Sequence, residues 1–382
     1  MVTVIFLSIL ALSFVLLAHY LVLTVARGPL RAGPVPDLPS YPFVSILKPM
    51  KNIDDGLEEN LRSFFTLDYP AYEIIFGVDT LEDACVGVIE QARKQYPSVK
   101  TTIIQTSFSK AVNPKVDKLA KMSQGLKSPL FWVSDSNTRV EKNTLALLVG
   151  EYLGRGSKIV FSPIRGAGGR SPGSIMANSY LNVFVSGNIL SAWSLFDKPI
   201  IVGKSMLLER ETLERLGGFT AFDCYLAEDY MMGAVYSGNG VYISTNYTWV
   251  TNFSSTTSVS TFYSRMARWA KMRFRIDPFF YCLEILANPS AIAFISIFFM
   301  GMNGAKLLAA VFALQTIIEY LHLFVAGGGE SENIRVLLIF PFCSAVKDAM
   351  LLMVYFTSFF SRTVQWHGRK IVIGKDSRID KS

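Results

Sequence analysis

Histidine is scarce in this chain, and it is missing where chemistry would most use it. The three histidines among 382 residues are His19, His322 and His367, all in or beside the apolar ends. With none in between, a general base in the middle of the chain has to be a carboxylate or a lysine. Cysteine is equally uninformative as a ligand. Cys85, Cys224, Cys282 and Cys343 are far apart and form no CxxC or CxxH pattern. Neither a zinc site nor a disulfide framework is indicated, which fits a reducing compartment. No strand–glycine–helix phosphate motif of the standard kinds is present. The first apolar run lacks a basic segment before it and a small-residue cleavage site after it, so it reads as a membrane anchor rather than a signal peptide.

What the chain does have is apolar mass at its ends. It is 51% hydrophobic, with a mean hydropathy of +0.33, while its middle reads like an ordinary globular domain. The net charge of +7 suggests an anionic partner. Nucleic acid is one option, but the apolar ends point instead to a membrane surface or a phosphorylated donor, and no nucleic-acid partner is expected. The expected organisation is a transmembrane helix over 1–26, a Gly/Pro linker over 27–42 and a cytoplasmic domain over 43–260. An interfacial amphipathic helix over 261–285, a transmembrane or re-entrant block over 286–361 and a basic cytoplasmic tail over 362–382 complete it. Arg27 and Arg31 after the first span, and the basic tail, place both flanks in the cytoplasm by the positive-inside rule. The span count does not close: one early span plus three later ones would leave the tail on the wrong side. Either one segment is re-entrant or residues 289–326 cross once.

Between these ends, strand-like and helix-like stretches alternate. Strands are expected at Phe43–Pro49, Tyr72–Asp79, Thr101–Ile104 and Leu130–Asp135, and helices at Leu57–Phe65, Ala84–Gln95 and Val116–Leu126. The expected fold class is α/β, with a mostly parallel, doubly wound sheet. Ligands of such sheets sit beyond the carboxyl ends of strands, where Asp79 and Asp135 fall. Asp83 lies in the loop after Asp79. The glycine-rich Arg165–Arg170 reads as a mobile loop.

Each candidate has a plainer reading. Asp135 can hold a divalent cation, Mg2+ or Mn2+, on a nucleotide diphosphate, but Asp-Ser-Asn also suits a turn or a helix N-cap. Asp79 and Asp83 can meet a base or ribose, or be solvated acids. Lys48 and Lys115 can meet phosphate, or water. Glu228-Asp229 lies among Tyr225, Leu226, Tyr230, Met231 and Met232. Burial and mutual repulsion would raise one carboxyl toward a useful base value, although acids also favour a helix start. Arg265, Arg268, Trp269, Lys271, Arg273 and Arg275 alternate with apolar residues at helical spacing, as in an interfacial helix. Arg268 also suits a departing diphosphate.

In their joint order these pieces resemble the GT-A glycosyltransferases of family two, and within them the ceramide glucosyltransferase family. The carrying text is Ser45–Lys51, Asn60-Leu61 with Leu67–Pro70, Asn113–Lys115, Asp135-Ser136, Gly217–Phe219, Ala227–Tyr230 and Ser264–Trp269, and it covers nearly the whole chain. The resemblance implies a GT-A (nucleotide-diphospho-sugar transferase) domain with N- and C-terminal transmembrane helices. It implies transfer of glucose from UDP-glucose to the primary hydroxyl of ceramide, with inversion. Asp83 and Asp135 match the first two family aspartates and Asp229 the third, the expected general base. Asp135 would be the metal ligand. Lys48, Asp79 and Lys115 join Asp83 and Asp135 as donor-side candidates, and Arg265, Arg268 and Trp269 match the Arg-x-x-Arg-Trp motif. The chain departs from the animal members in lacking a mid-chain histidine and in carrying Gly203-Lys204-Ser205-Met206 where they have a cysteine after the glycine. Another membrane lipid, such as one of the hopanoid pathway, is therefore an alternative acceptor. A processive polysaccharide synthase fits less well, since Arg265 stands where those show glutamine, and a non-catalytic membrane scaffold is opposed by the intact acids. The expected location is an integral membrane protein with its catalytic domain in the cytoplasm, on Golgi or ER membranes in a eukaryote or the inner membrane in a bacterium.

Overall fold

A computed structural model describes residues 1–28, 37–106, 112–327, 333–366 and 369–380. Arg31, His367, Lys381 and most of the Gly/Pro linker lie outside them. The chain divides into two compact units. One comprises Arg31–Arg165 with Ala192–Phe253, and the other Met1–Leu30, Gly166–Ser191 and Ser254–Ser382.

Helix α1 (Val2–Arg27) opens the chain. The sheet unit begins with β1 (Val44–Pro49), α2 (Leu57–Phe65), β2 (Tyr72–Val78), α3 (Ala84–Gln95), β3 (Lys100–Gln105), α4 (Pro114–Ser123) and β4 (Leu130–Val133). Strands β1, β2 and β4 lack polar alternation, as strands covered on both faces do; Ile46, Leu47, Ile74, Phe76, Phe131 and Trp132 are all buried, whereas edge strand β3 alternates. Helix α2 buries Leu57, Leu61, Phe64 and Phe65, one stripe at helical spacing. Local chemistry sets the helix starts. Asp83 caps α3 by accepting the Cys85 amide at 3.0 Å. Asn113 caps α4 through the Lys115 and Val116 amides, with Pro114 in the first turn.

The rest of the unit comprises β5 (Thr138–Arg139), α5 (Thr144–Arg155), β6 (Ile159–Phe161) and β7 (Ile164–Ala167), then, after α6 (Pro172–Tyr180) and α7 (Ser186–Phe196), β8 (Met206–Glu209), α8 (Arg210–Arg215), α9 (Glu228–Gly238), β9 (Ile243–Ser244) and β10 (Val250–Phe253). The main sheet runs β3-β2-β1-β4-β8-β6-β9. β1, β2, β3 and β4 are parallel, and β8 is antiparallel to both β4 and β6. The glycine-rich stretch expected as a mobile loop is partly strand β7. A side chain at Gly166 would meet the Asn178 Cα at 2.6 Å, so the glycine there permits close packing.

The second unit is helical: α1, α6, a π-helical turn (Leu181–Val185), α10 (Val259–Ile276), α11 (Pro278–Leu283), α12 (Pro289–Met300), α13 (Met302–Ala326) and α14 (Ile334–Phe360). Its core joins Ile175, Tyr180, Phe262, Met266, Tyr281, Phe340 and Val354. Helices α1, α13 and α14 have 26, 25 and 27 residues and are apolar enough to cross a membrane; at 1.5 Å per residue each exceeds the ~30 Å hydrocarbon core. Helix α12 has 12 residues, which gives only about 18 Å. It bends by 83° from the segment Pro278–Ala287 and folds back on α13 through Gly301, whose φ of 55° suits glycine. The basic tail forms a small antiparallel sheet of β11 (Thr363–Trp366), β12 (Arg369–Ile373) and β13 (Ile379–Asp380).

Candidate active site

The carboxyl ends of β1, β2 and β4 converge on a cluster of acids and lysines. Lys48, next to last in β1, is fully buried. Its ammonium donates to the Asp135 carbonyl at 2.9 Å and lies 3.6 Å from the centre of the Phe64 ring. Burial pushes Lys48 down to about 7, against the pull of the Asp135 charge. Asp79, just past β2, pairs with Lys118 at 2.8 Å and with Lys51 at 3.4 Å. Asp83 accepts the amides of Cys85 and Asn52 as the cap of α3. Burial raises its carboxyl, but those amide hydrogen bonds outweigh it and the net direction is down.

Asp135, two residues beyond β4, is the hub. One carboxylate oxygen meets Lys115 at 3.0 Å and the other Lys204 at 2.9 Å. Burial works against its charge, but the two ammonium groups prevail and hold it well below the usual carboxylate range. Lys115 reaches on to Glu228 at 2.9 Å, and despite burial these carboxylates push its pKa up. Glu228 and Asp229 open helix α9, so the acid-at-helix-start reading and the acid-pair reading hold together. Asn113, the cap of α4, donates to Glu228 at 3.3 Å and to the Tyr225 carbonyl at 2.8 Å. Asp223 accepts the Asn113 amide at 3.0 Å. Together they fasten the start of α4 to the chain leading into α9.

The two adjacent carboxylates differ. Glu228 is buried and ion-paired. Asp229 is half-buried and accepts the amides of Gly203 at 2.6 Å and Tyr230 at 2.8 Å. Burial, then the Glu228 charge, raises Asp229 to about 6, even though Lys115 and the two amides pull the other way. Gly203 leaves room for this packing: a β-carbon there would stand 2.5 Å from the Lys115 ammonium and 3.2 Å from the Asp229 carboxylate, so the lysine end would have to move.

Of the sequence candidates, Lys48, Lys115, Asp135 and Asp229 come together at the strand ends, with Asp79 and Asp83 beside the end of β2. Arg265, Arg268 and Trp269 stand on α10 in the other unit, each half-buried, with Trp269 packed against that unit's core. The residues missed in sequence were Lys204, Gly203 and Asn113 in its capping role. Antiparallel pairing aligns Val133 with Met206, which sets Lys204, two residues before Met206, opposite Asp135, two residues after Val133.

Among the described residues, no group of three His, Cys, Asp or Glu side chains could hold a metal alone. Three lysines (48, 115 and 204) face three carboxylates (135, 228 and 229). The donor set fits a cation that arrives with a diphosphate, because one carboxylate plus substrate phosphates is a common environment for a hard divalent ion. A doubly charged diphosphate with its cation would also leave the local charge balance unchanged.

A ceramide glucosyltransferase of Caenorhabditis elegans, numbered 3, is 28% identical over 255 residues, covering 65% of this chain and 54% of that protein. A second from the same organism, numbered 1, is 23% identical over 353 residues, covering 90% of this chain and 74% of that protein. Among solved structures, a mannosyltransferase from Pyrobaculum calidifontis in complex with GDP-Man and Mn2+ is 17% identical and covers 89% of this chain and 99% of its own, with a TM-score of 0.46. The model of glycosyl transferase family 21 matches residues 3–379. That match spans nearly the whole chain, and the chain belongs to glycosyl transferase family 21.

Proposed function

We propose that this glycosyltransferase moves glucose from UDP-glucose to the primary hydroxyl of ceramide, with inversion at the anomeric carbon. The observation that carries the reading is the contrast within Glu228-Asp229. One acid is neutralised by Lys115, and the other is half-exposed, held by backbone amides and raised to about 6. A base poised near neutrality is what deprotonation of an alcohol requires. Asp229 takes the acceptor proton as the hydroxyl oxygen attacks the anomeric carbon, and the bond from that carbon to the diphosphate breaks on the opposite face. Asp135 would hold Mg2+ or Mn2+, which supplies positive charge to the departing diphosphate. Lys115 adds a fixed positive charge beside it. Lys48 braces the Asp135 backbone, and Asp79 and Asp83 stand on the nucleotide side. Arg265, Arg268 and Trp269 enter on the motif alone, as diphosphate and acceptor groups.

The helices support a membrane-embedded acceptor and a cytoplasmic catalytic unit. With α1, α13 and α14 crossing and α12 re-entrant, the chain crosses an odd number of times before the tail. Both the sheet unit and the tail then lie on one side, the side where Arg27 follows α1. Incubating membranes containing the protein with a panel of UDP-sugars and lipids, and reading product mass, tests the assignment. The expected product is a hexosylated ceramide made from UDP-glucose. Exclusive labelling of a sterol-like or hopanoid acceptor would move the substrate, and no product with any pair would end the reading.

A further inference from the structure

The cluster holds one lysine that a bound cation would leave without a charged partner. Asp135 shares its two oxygens between Lys115 and Lys204. A divalent cation on that carboxylate would repel both ammonium groups. Lys115 keeps a second carboxylate, Glu228, at 2.9 Å. Lys204 keeps the Asn137 side-chain carbonyl, which is neutral. Its backbone is held: the Lys204 amide donates to the Val202 carbonyl at 2.7 Å, and the neighbouring Gly203 amide donates to Asp229 at 2.6 Å. Only the side chain of Lys204 is left to turn. An ammonium released beside the strand ends, 17% exposed and with no carboxylate of its own, is matched by one kind of incoming group, the phosphate oxygens of the donor.

We propose that Lys204 is a donor-diphosphate ligand held in reserve on Asp135, which a divalent cation displaces and a nucleoside diphosphate then captures. This rests on the reading of the chain as a UDP-sugar transferase with its cation at Asp135. Two consequences follow. In the nucleotide-free protein Lys204 competes with the cation, so cation binding is weak until nucleotide arrives. In the loaded protein Lys204 adds a charge-assisted hydrogen bond to phosphate, so nucleotide affinity depends on it.

Both are read without turnover. Mn2+ binding to the full-length protein in detergent is followed by the loss of the free Mn2+ resonance, first without nucleotide and then with UDP. UDP affinity is measured calorimetrically at saturating Mn2+. Lys204→Met should bind Mn2+ alone several-fold more tightly than wild type. It should bind UDP about 10-fold to 100-fold more weakly, the range expected for one hydrogen bond from a charged donor to phosphate. Lys204→Arg should keep UDP affinity close to wild type. The idea is overturned if Lys204→Met binds UDP as tightly as wild type, or if Lys204→Arg loses as much affinity as Lys204→Met, since a packing role would then suffice. If wild type itself binds no UDP with Mn2+ present, the donor assignment fails first and this inference fails with it. Equal melting temperatures for the three proteins confirm that binding is being compared between folded molecules.

Discussion

Two acid–lysine clusters are built into this chain from the same residue types, one in each unit. In the helical unit Lys347 meets Glu319 at 2.6 Å and Asp348 at 3.5 Å. Gln315 donates to Glu319 at 2.9 Å and to Asp348 at 2.7 Å, and Ser344 donates to Glu319 at 2.8 Å. The Lys347 and Glu319 side chains are 4% and 3% exposed. At the strand ends Lys115 and Asp135 are 21% and 25% exposed, and neighbouring Asp229 accepts only amides among its described hydrogen bonds. The closed cluster joins α13 and α14, and its oxygens accept from side chains already in place. The open one keeps room for incoming groups. Charge alone does not distinguish the two clusters; access and a carboxylate held by backbone amides do.

Breaking the closed cluster should have the largest effect. Lys347→Met leaves Glu319 and Asp348 buried together and should cost about 3–5 kcal/mol, the usual result of removing one partner from a buried pair. Thermal unfolding in detergent reads it as a large fall in melting temperature. Lys115→Met, at the open cluster, should lower the melting temperature far less while removing most activity.

The next effect separates function from stability. Activity carried by Asp229 should fall tenfold per pH unit below about 6, as its carboxyl takes up a proton. The stability sign is opposite to that of a paired acid. The folded pKa of Asp229 lies above its unfolded value, so the ionised form costs stability above pH 6, and that cost fades as pH falls toward 4. Asp229→Asn should therefore melt at or above the wild-type temperature at pH 8, with the gain shrinking at pH 5. Asp135 behaves the other way, since its lowered pKa gives stability that is present at neutral pH and lost on acidification.

The smallest effect concerns the early aspartates. Asp83→Ala removes a helix cap and should cost about 0.5–2 kcal/mol, with a modest change in donor KM. Asp79→Ala should raise donor KM more than it lowers stability. The reverse ranking would make Asp83 the donor-side residue.

Much of this was legible from sequence because it is local. The strands over Val44–Pro49 and Tyr72–Val78 announce themselves as apolar runs, and α2 and α3 by spacing and caps. Asp135 and Asp79 follow from the rule that ligands lie past strand ends. Lys204 was not legible, because its place beside Asp135 comes from pairing between strands more than 70 residues apart in sequence. Which acid of Glu228-Asp229 meets the lysine was likewise a matter of distance, since Lys115 and Asn113 reach Glu228 from a segment more than 100 residues away in sequence. The span count turns on α12, which is short and sharply bent from the segment before it: three spans without that pair, four with it. The chain carries two glycosylation sequons, Asn246-Tyr247-Thr248 and Asn252-Phe253-Ser254. Asn252 is 4% exposed, and Asn246 is hydrogen-bonded to Leu147 at 2.7 Å, so their lack of glycans would say nothing about sidedness.

The central claim is that Asp229, and not Glu228, removes the acceptor proton. It is tested most directly by turnover of Asp229→Asn with UDP-glucose and ceramide, with UDP affinity measured on the same preparation. The account predicts a loss of about 100-fold to 10,000-fold in turnover, the usual worth of a general base, with UDP affinity within a few-fold of wild type. Near-normal turnover in Asp229→Asn would contradict it.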